Sequence, residues 1–108
     1  MACLLVLSNF PDNDTAKAAA TALVKEKLAA CVNLIPGVTS IYEWNATIEC
    51  ESEITAPIKT TEATFPTLKQ RLAALHPYDL PEIIALPIQA GPEGYLSWIE
   101  STVQKSPS

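Results

Sequence analysis

The sequence predicts one α+β domain built as a split β-α-β unit with a helix added near its end. Three observations carry that prediction. Short, mainly apolar runs at Cys3–Leu7, Cys31–Ile35 and Ile83–Ile88 have the length of strands. Two intervening stretches repeat their apolar residues at helical spacing. The order reads strand, helix, strand, strand, helix, strand, helix, and 108 residues are one domain's worth of chain, 1–108.

Each element has its own reason. Cys3-Leu4-Leu5-Val6-Leu7 is unbroken apolar sequence and reads as a strand buried on both faces. Ser8 to Asp14 is turn-rich, and Asp12 or Asp14 can cap a helix by accepting from its free N–H groups. Thr15 to Ala30 is rich in helix formers, with Ala16, Ala20, Leu23, Val24 and Leu28 on one stripe. Cys31 to Ile35 is the next strand. Pro36-Gly37 bends or bulges it, and Val38 to Trp44 resumes with β-branched and aromatic residues. Asn45-Ala46 fits a two-residue hairpin turn. Alanine at positive φ costs about 1–2 kcal/mol, which leaves the turn type open. The return strand runs from Thr47 to about Lys59, with Pro57 marking a break or an edge. Thr64 caps a second helix, Pro66 lies in its first turn, Leu68, Leu72 and Leu75 form its buried stripe, and Pro77 ends it by His76. After the strand Ile83–Ile88, Gly91-Pro92 turns the chain. Tyr95, Trp98, Ile99 and Val103 then give a terminal helix one apolar face, with Tyr95 and Trp98 expected in the core. This is the ferredoxin-like arrangement with a long second hairpin and a C-terminal helix.

Composition narrows the function. Apolar residues make up 48 % of the chain, enough for a core, and the net charge is −5. An acidic protein repels phosphate backbones, so nucleic acid is not an expected partner. No apolar run approaches the ~20 residues of a membrane helix, and the five-residue apolar start is too short for a signal peptide. No membrane partner is expected either. Cys3, Cys31 and Cys50 are odd in number and widely spaced, which suits reduced, packing thiols in a cytoplasm. Walker, dinucleotide-binding, nucleophile-elbow and His-Glu-x-x-His motifs are all absent, so no catalytic residue is assigned and an enzyme is not expected.

Geometry argues for self-association. A strand path from Cys31 to Trp44 spans about 45 Å, whereas a domain of this size is about 33 Å across. The hairpin should overhang, carrying Ile41, Tyr42, Trp44 and Ile48 away from the body. A two-stranded ribbon is marginal alone in water, so these residues are expected to pack on neighbouring subunits.

The candidates for chemistry are few. His76 is the only histidine and sits in the stiff segment His76-Pro77-Tyr78-Asp79-Leu80-Pro81-Glu82. Imidazole and carboxylates are metal donors, so His76, Asp79 and Glu82 are the candidate cation ligands. The competing reading is a helix-ending loop whose His caps the helix. Glu49, Glu51 and Glu53 share one strand face about 6.6 Å apart and read as a solvated, edge-guarding face rather than a cation-collecting ladder.

Several segments, in order, resemble the CutA family of divalent-cation tolerance proteins. They are Glu26-Lys27-Leu28-Ala29-Ala30-Cys31, Ile35 to Trp44, Lys59-Thr60-Thr61, His76 to Glu82, and Tyr95-Leu96-Ser97-Trp98. The resemblance implies a tight, cytoplasmic homotrimer, similar in shape to PII-type signalling proteins, with clefts between subunits. It also implies a link to copper and other divalent cations. Some bacterial members place Cys where this chain has Ser8 and His where it has Leu75, joining the histidine that matches His76 as copper ligands. Only His76 remains here, so any copper site is expected to be weak, with no cofactor required. The alternative is a PII-like binding module that senses a small ligand in the intersubunit clefts.

Overall fold

The computed structural model describes residues 2–103. The elements are β1 (Cys3–Phe10), α1 (Asn13–Lys25), β2 (Cys31–Val32), β3 (Ile35–Trp44), β4 (Thr47–Thr61), α2 (Phe65–Leu75), β5 (Ile84–Pro87) and α3 (Glu93–Thr102). The strands form one antiparallel sheet in the order β2-β4-β1-β5, and β3 also pairs with β4 beyond the end of β2. The ferredoxin-like split β-α-β order is therefore present, with α3 added.

The two faces of the sheet differ sharply. Leu4, Val6 and Phe10 of β1 and Ile54, Ala56 and Ile58 of β4 point to one face. There they are buried against Ala16, Ala19 and Leu23 of α1 and Leu68 and Leu72 of α2. On the opposite face Leu5 and Leu7 are only half-buried. Their register partners on β5, Leu86 and Ile84, are 43 % and 51 % exposed. The expectation that β1 is buried on both faces is corrected here. Both long helices return to the same side, and α3 covers only the far end of the other, through Cys3, Ile99 and Val103. Tyr95 and Trp98, expected in the core, are 43 % and 44 % exposed and touch each other instead.

Other elements end where local backbone chemistry dictates. Asp12 caps α1, its Oδ1 accepting from the Thr15 N–H at 2.8 Å. The helix stops at Lys25 rather than Ala30. Lys27 adopts φ 60°, and Leu28 N–H and Lys27 N–H donate to the carbonyls of Leu23 and Val24. That is a Schellman stop, built on lysine where glycine is usual and so invisible to a glycine search. Pro57 neither breaks nor edges β4, which runs continuously between β1 and the β2–β3 side. The Pro57 carbonyl accepts from Asn33 N–H, and its missing donor faces the gap where β2 gives way to β3. The break thus lies in the partner strand.

β3 and β4 form the overhanging hairpin, and the molecule measures 44 × 26 × 23 Å. Its turn has φ 52° at Asn45 and 63° at Ala46, the type I′ geometry that matches strand twist. Alanine is strained there, so Ala46→Gly is expected to raise stability by about 1 kcal/mol, read as a shift in the urea midpoint. An unchanged or lower midpoint would refute the strain.

Candidate functional site

The sheet and the loop between α2 and β5 border an open cleft of about 470 Å³. Asn9 at the end of β1, Glu53 of β4, and Tyr42 and Trp44 of β3 form the sheet side. Pro77, Tyr78, Asp79, Leu80 and Glu82 form the loop side. Strand register explains the sheet side. Tyr42 stands opposite Glu49 and Trp44 opposite Thr47, so both share a face with Glu53. Ile41 and Ile48, opposite Cys50 and Glu43, project from the other face and are 70 % and 68 % exposed. The four hairpin residues grouped by the sequence therefore serve two surfaces.

Asn9 ties the loop to the sheet. Its Nδ2 donates to Glu82 Oε1 at 3.1 Å, its Oδ1 accepts from Thr55 Oγ1 at 2.7 Å, and its carbonyl accepts from His76 Nε2 at 2.8 Å. His76 is buried, stacked on Phe10 with ring centroids 4.4 Å apart. Its Nδ1 accepts from the Tyr78 N–H at 3.2 Å. A carbonyl can only accept, so the proton sits on Nε2, and neither ring nitrogen has a lone pair to spare. Tyr78 then reaches across the cleft, its hydroxyl donating to Glu53 Oε2 at 2.6 Å. Burial, followed by the Glu53 contact, pushes the Tyr78 phenol well above its usual range, so it remains a donor. Sequence reasoning missed Asn9, Thr55 and the Glu53–Tyr78 pair. The β1–β4 register sets Asn9 beside Thr55, and the fold-back of the loop after α2 brings Tyr78 to Glu53.

The carboxylates divide. Glu53 is 7 % exposed, which corrects its place in a solvated row; Glu51 is exposed and Glu49 half-buried. Asp79 and Glu82 lie exposed at the cleft's rim. Among the described residues, no group of three or more His, Cys, Asp and Glu is gathered as a metal cage. With His76 saturated, Ser8 fully buried among core side chains and Leu75 apolar, the donors do not fit a tight copper centre. The thiols do not supply one either. Cys3 is buried and burial raises its pKa, whereas Cys31 is only half-buried and Cys50 exposed, not packed as expected.

His76 gives the fold a pH dependence. Burial lowers its pKa and prevails over the opposing pulls of the Asn9 carbonyl and Glu53. An unfolded histidine takes up its proton near pH 6.5, the folded one only at lower pH. The stabilisation is therefore complete above about pH 6.5 and is lost as pH falls from there toward the folded value. Urea midpoints are expected to drop between pH 7 and 5 more steeply than in His76→Gln. Equal slopes would show that His76 does not carry the effect.

Comparison with known proteins points in one direction. Residues 4–102 match the family described as CutA1 divalent ion tolerance protein. A divalent-cation tolerance protein CutA of Thermus thermophilus is 50 % identical over 95 residues, covering 88 % of this chain and 92 % of that protein. The solved Thermus thermophilus structure superposes with a TM-score of 0.92 at 46 % identity, covering 94 % of this chain and 99 % of the other. The CutA1 structure from Oryza sativa gives 0.95 at 37 % identity, covering 98 % and 97 %.

Proposed function

Since the chain belongs to the CutA1 divalent ion tolerance family, we propose that it acts in divalent-cation tolerance as a cytoplasmic, non-enzymatic homotrimer that receives cations in the acidic cleft. The observation that carries this reading is the cleft's charge. Glu53, Asp79 and Glu82 line it, and among the described residues no Lys, Arg or His does. Low-dielectric walls focus that negative field and concentrate cations at the mouth. Asp79 and Glu82, at the rim, make the cation contact; His76 acts through the loop that it clasps to Asn9. Copper prefers imidazole and thiolate, so it is held weakly here.

The trimer reading is supported by the open apolar face of Leu5, Leu7, Ile84 and Leu86 and by the outward Ile41 and Ile48. A second reading, a PII-like module for a small ligand, is favoured by the size of the cleft, which falls in the roughly 300–1,000 Å³ range of small-molecule sites.

Native mass spectrometry with and without Cu(II) tests the first reading. The expected result is three chains that take up a small, defined number of ions. Uptake should fall in Asp79→Asn with Glu82→Gln, and also in His76→Ala, which frees the loop. A trimer that binds no ion, or one whose uptake survives the carboxylate changes, would overturn the cation role.

A further inference from the structure

We infer that the cleft binds an organic ammonium ion, a fixed positive charge carried on a small apolar body. This rests on the reading of the cleft as the place where cations are received, and it names a ligand that a divalent ion would only imitate. The argument begins with what the walls contain. Tyr42, Trp44 and Tyr78 bring three aromatic rings to one 470 Å³ space that also holds Glu53, Asp79 and Glu82. A bare ion needs several oxygens converging at about 2.0–2.6 Å. Here the acids are spread around the space, with no cage among the described residues. Two of them already accept bonds, Glu53 from Tyr78 and Glu82 from Asn9. What remains on offer is the Asp79 carboxylate and the second oxygen of Glu82, set apart from each other around the space rather than converging, and the π faces of the rings.

That combination suits one ligand chemistry. An anion, such as a phosphate or carboxylate metabolite, is repelled, because no basic side chain among the described residues faces it. A neutral apolar molecule would gain ring contact but nothing from the acids. An alkylammonium gains both: its charge is attracted by the ring quadrupoles and the carboxylates, and its carbon body covers apolar wall. Trp44, the strongest cation–π partner by ring type, is 50 % exposed and lies at the hairpin tip, so its ring can be covered by a ligand. The Tyr78–Glu53 bond fixes the back of the space and keeps that phenol a donor, which aims the Glu53 charge and the Tyr78 ring together.

The probe pair is choline and its uncharged carbon isostere dimethylbutanol, titrated calorimetrically into the whole, untagged protein. Choline is expected to bind, and the isostere about tenfold more weakly or not at all. Trp44→Leu keeps apolar bulk and removes the π face, and should weaken choline by about tenfold; Glu53→Gln should weaken it as well. Both variants are checked for an unchanged native mass first, and Tyr42→Leu replaces either one that fails to assemble. Equal binding of choline and the isostere, or choline binding unaffected by these changes, would overturn the inference. A parallel titration with Cu(II) separates the two readings. Cu(II) uptake without choline binding overturns the ammonium site and leaves the divalent role standing. Choline binding without Cu(II) uptake does the reverse.

Discussion

Ile84→Asp, or Leu7→Asp, is expected to convert the proposed trimer to single chains. Leu7 and Ile84 are direct register partners on the face that neither α1 nor α2 covers. Fully burying a side chain of this kind is worth about 1.5–3 kcal/mol, and a trimer repeats the contact in every subunit. An aspartate there would have to give up its hydration with no cation opposite, at a cost of several kcal/mol per ion in a dry interface. Ile84 is 51 % exposed within one chain, so the subunit fold itself should survive the change. Light scattering or native mass spectrometry reads the result directly as a threefold fall in mass. If the variant kept its full mass, the open face would not be the interface, and the hairpin residues Ile41 and Ile48 would have to hold the assembly alone.

Phe10→Ala is expected to cost about 3–5 kcal/mol, a large part of the ~5–15 kcal/mol that a domain has in total. Phe10 is 2 % exposed, among the largest fully buried side chains, and sits where β1, α1 and α2 meet. It also backs the site, because the His76 ring stacks on it at 4.4 Å and His76 in turn holds Asn9 and Tyr78. The substitution should therefore lower the urea midpoint and loosen the His76 loop together, the second effect read as faster amide exchange at Tyr78. Compared at fixed protein concentration, since the proposed assembly would add to apparent stability, a loss under about 1 kcal/mol would mean that the cavity refills and the core is more adaptable than it looks.

Much of this protein can be read without its structure. Patterning at strand and helix periods determined the order of elements, because burial of one face requires the matching period. Asp12 placed the start of α1, and Pro66 and Pro77 bracket α2, whereas Thr64, expected to cap that helix, makes no side-chain cap bond. The acidic balance argues against nucleic acid as a partner, and the hairpin's length against the domain's size points to self-association. Where the sequence misled, the cause was local. Lys27 and Ala46 adopt positive φ, which their side chains do not advertise. Pro57 sits inside a central strand because its missing donor falls opposite a gap in the neighbouring strand, a coincidence of register.

The tertiary structure alone decided the site. The sequence places Asn9, Glu53 and Tyr78 in three separate segments, and no periodicity links them. Pairing of β1 with β4 sets Asn9 beside Thr55, the loop after α2 folds back over that end of the pair, and Tyr78 closes on Glu53. The same packing turned His76 from a free donor into a clasp: both of its ring nitrogens are used by backbone groups, one of them 67 residues away in sequence. Residue chemistry says what a side chain can bind. Which of those bonds it has left depends on the neighbours brought to it by long-range pairing, and that depends on the fold.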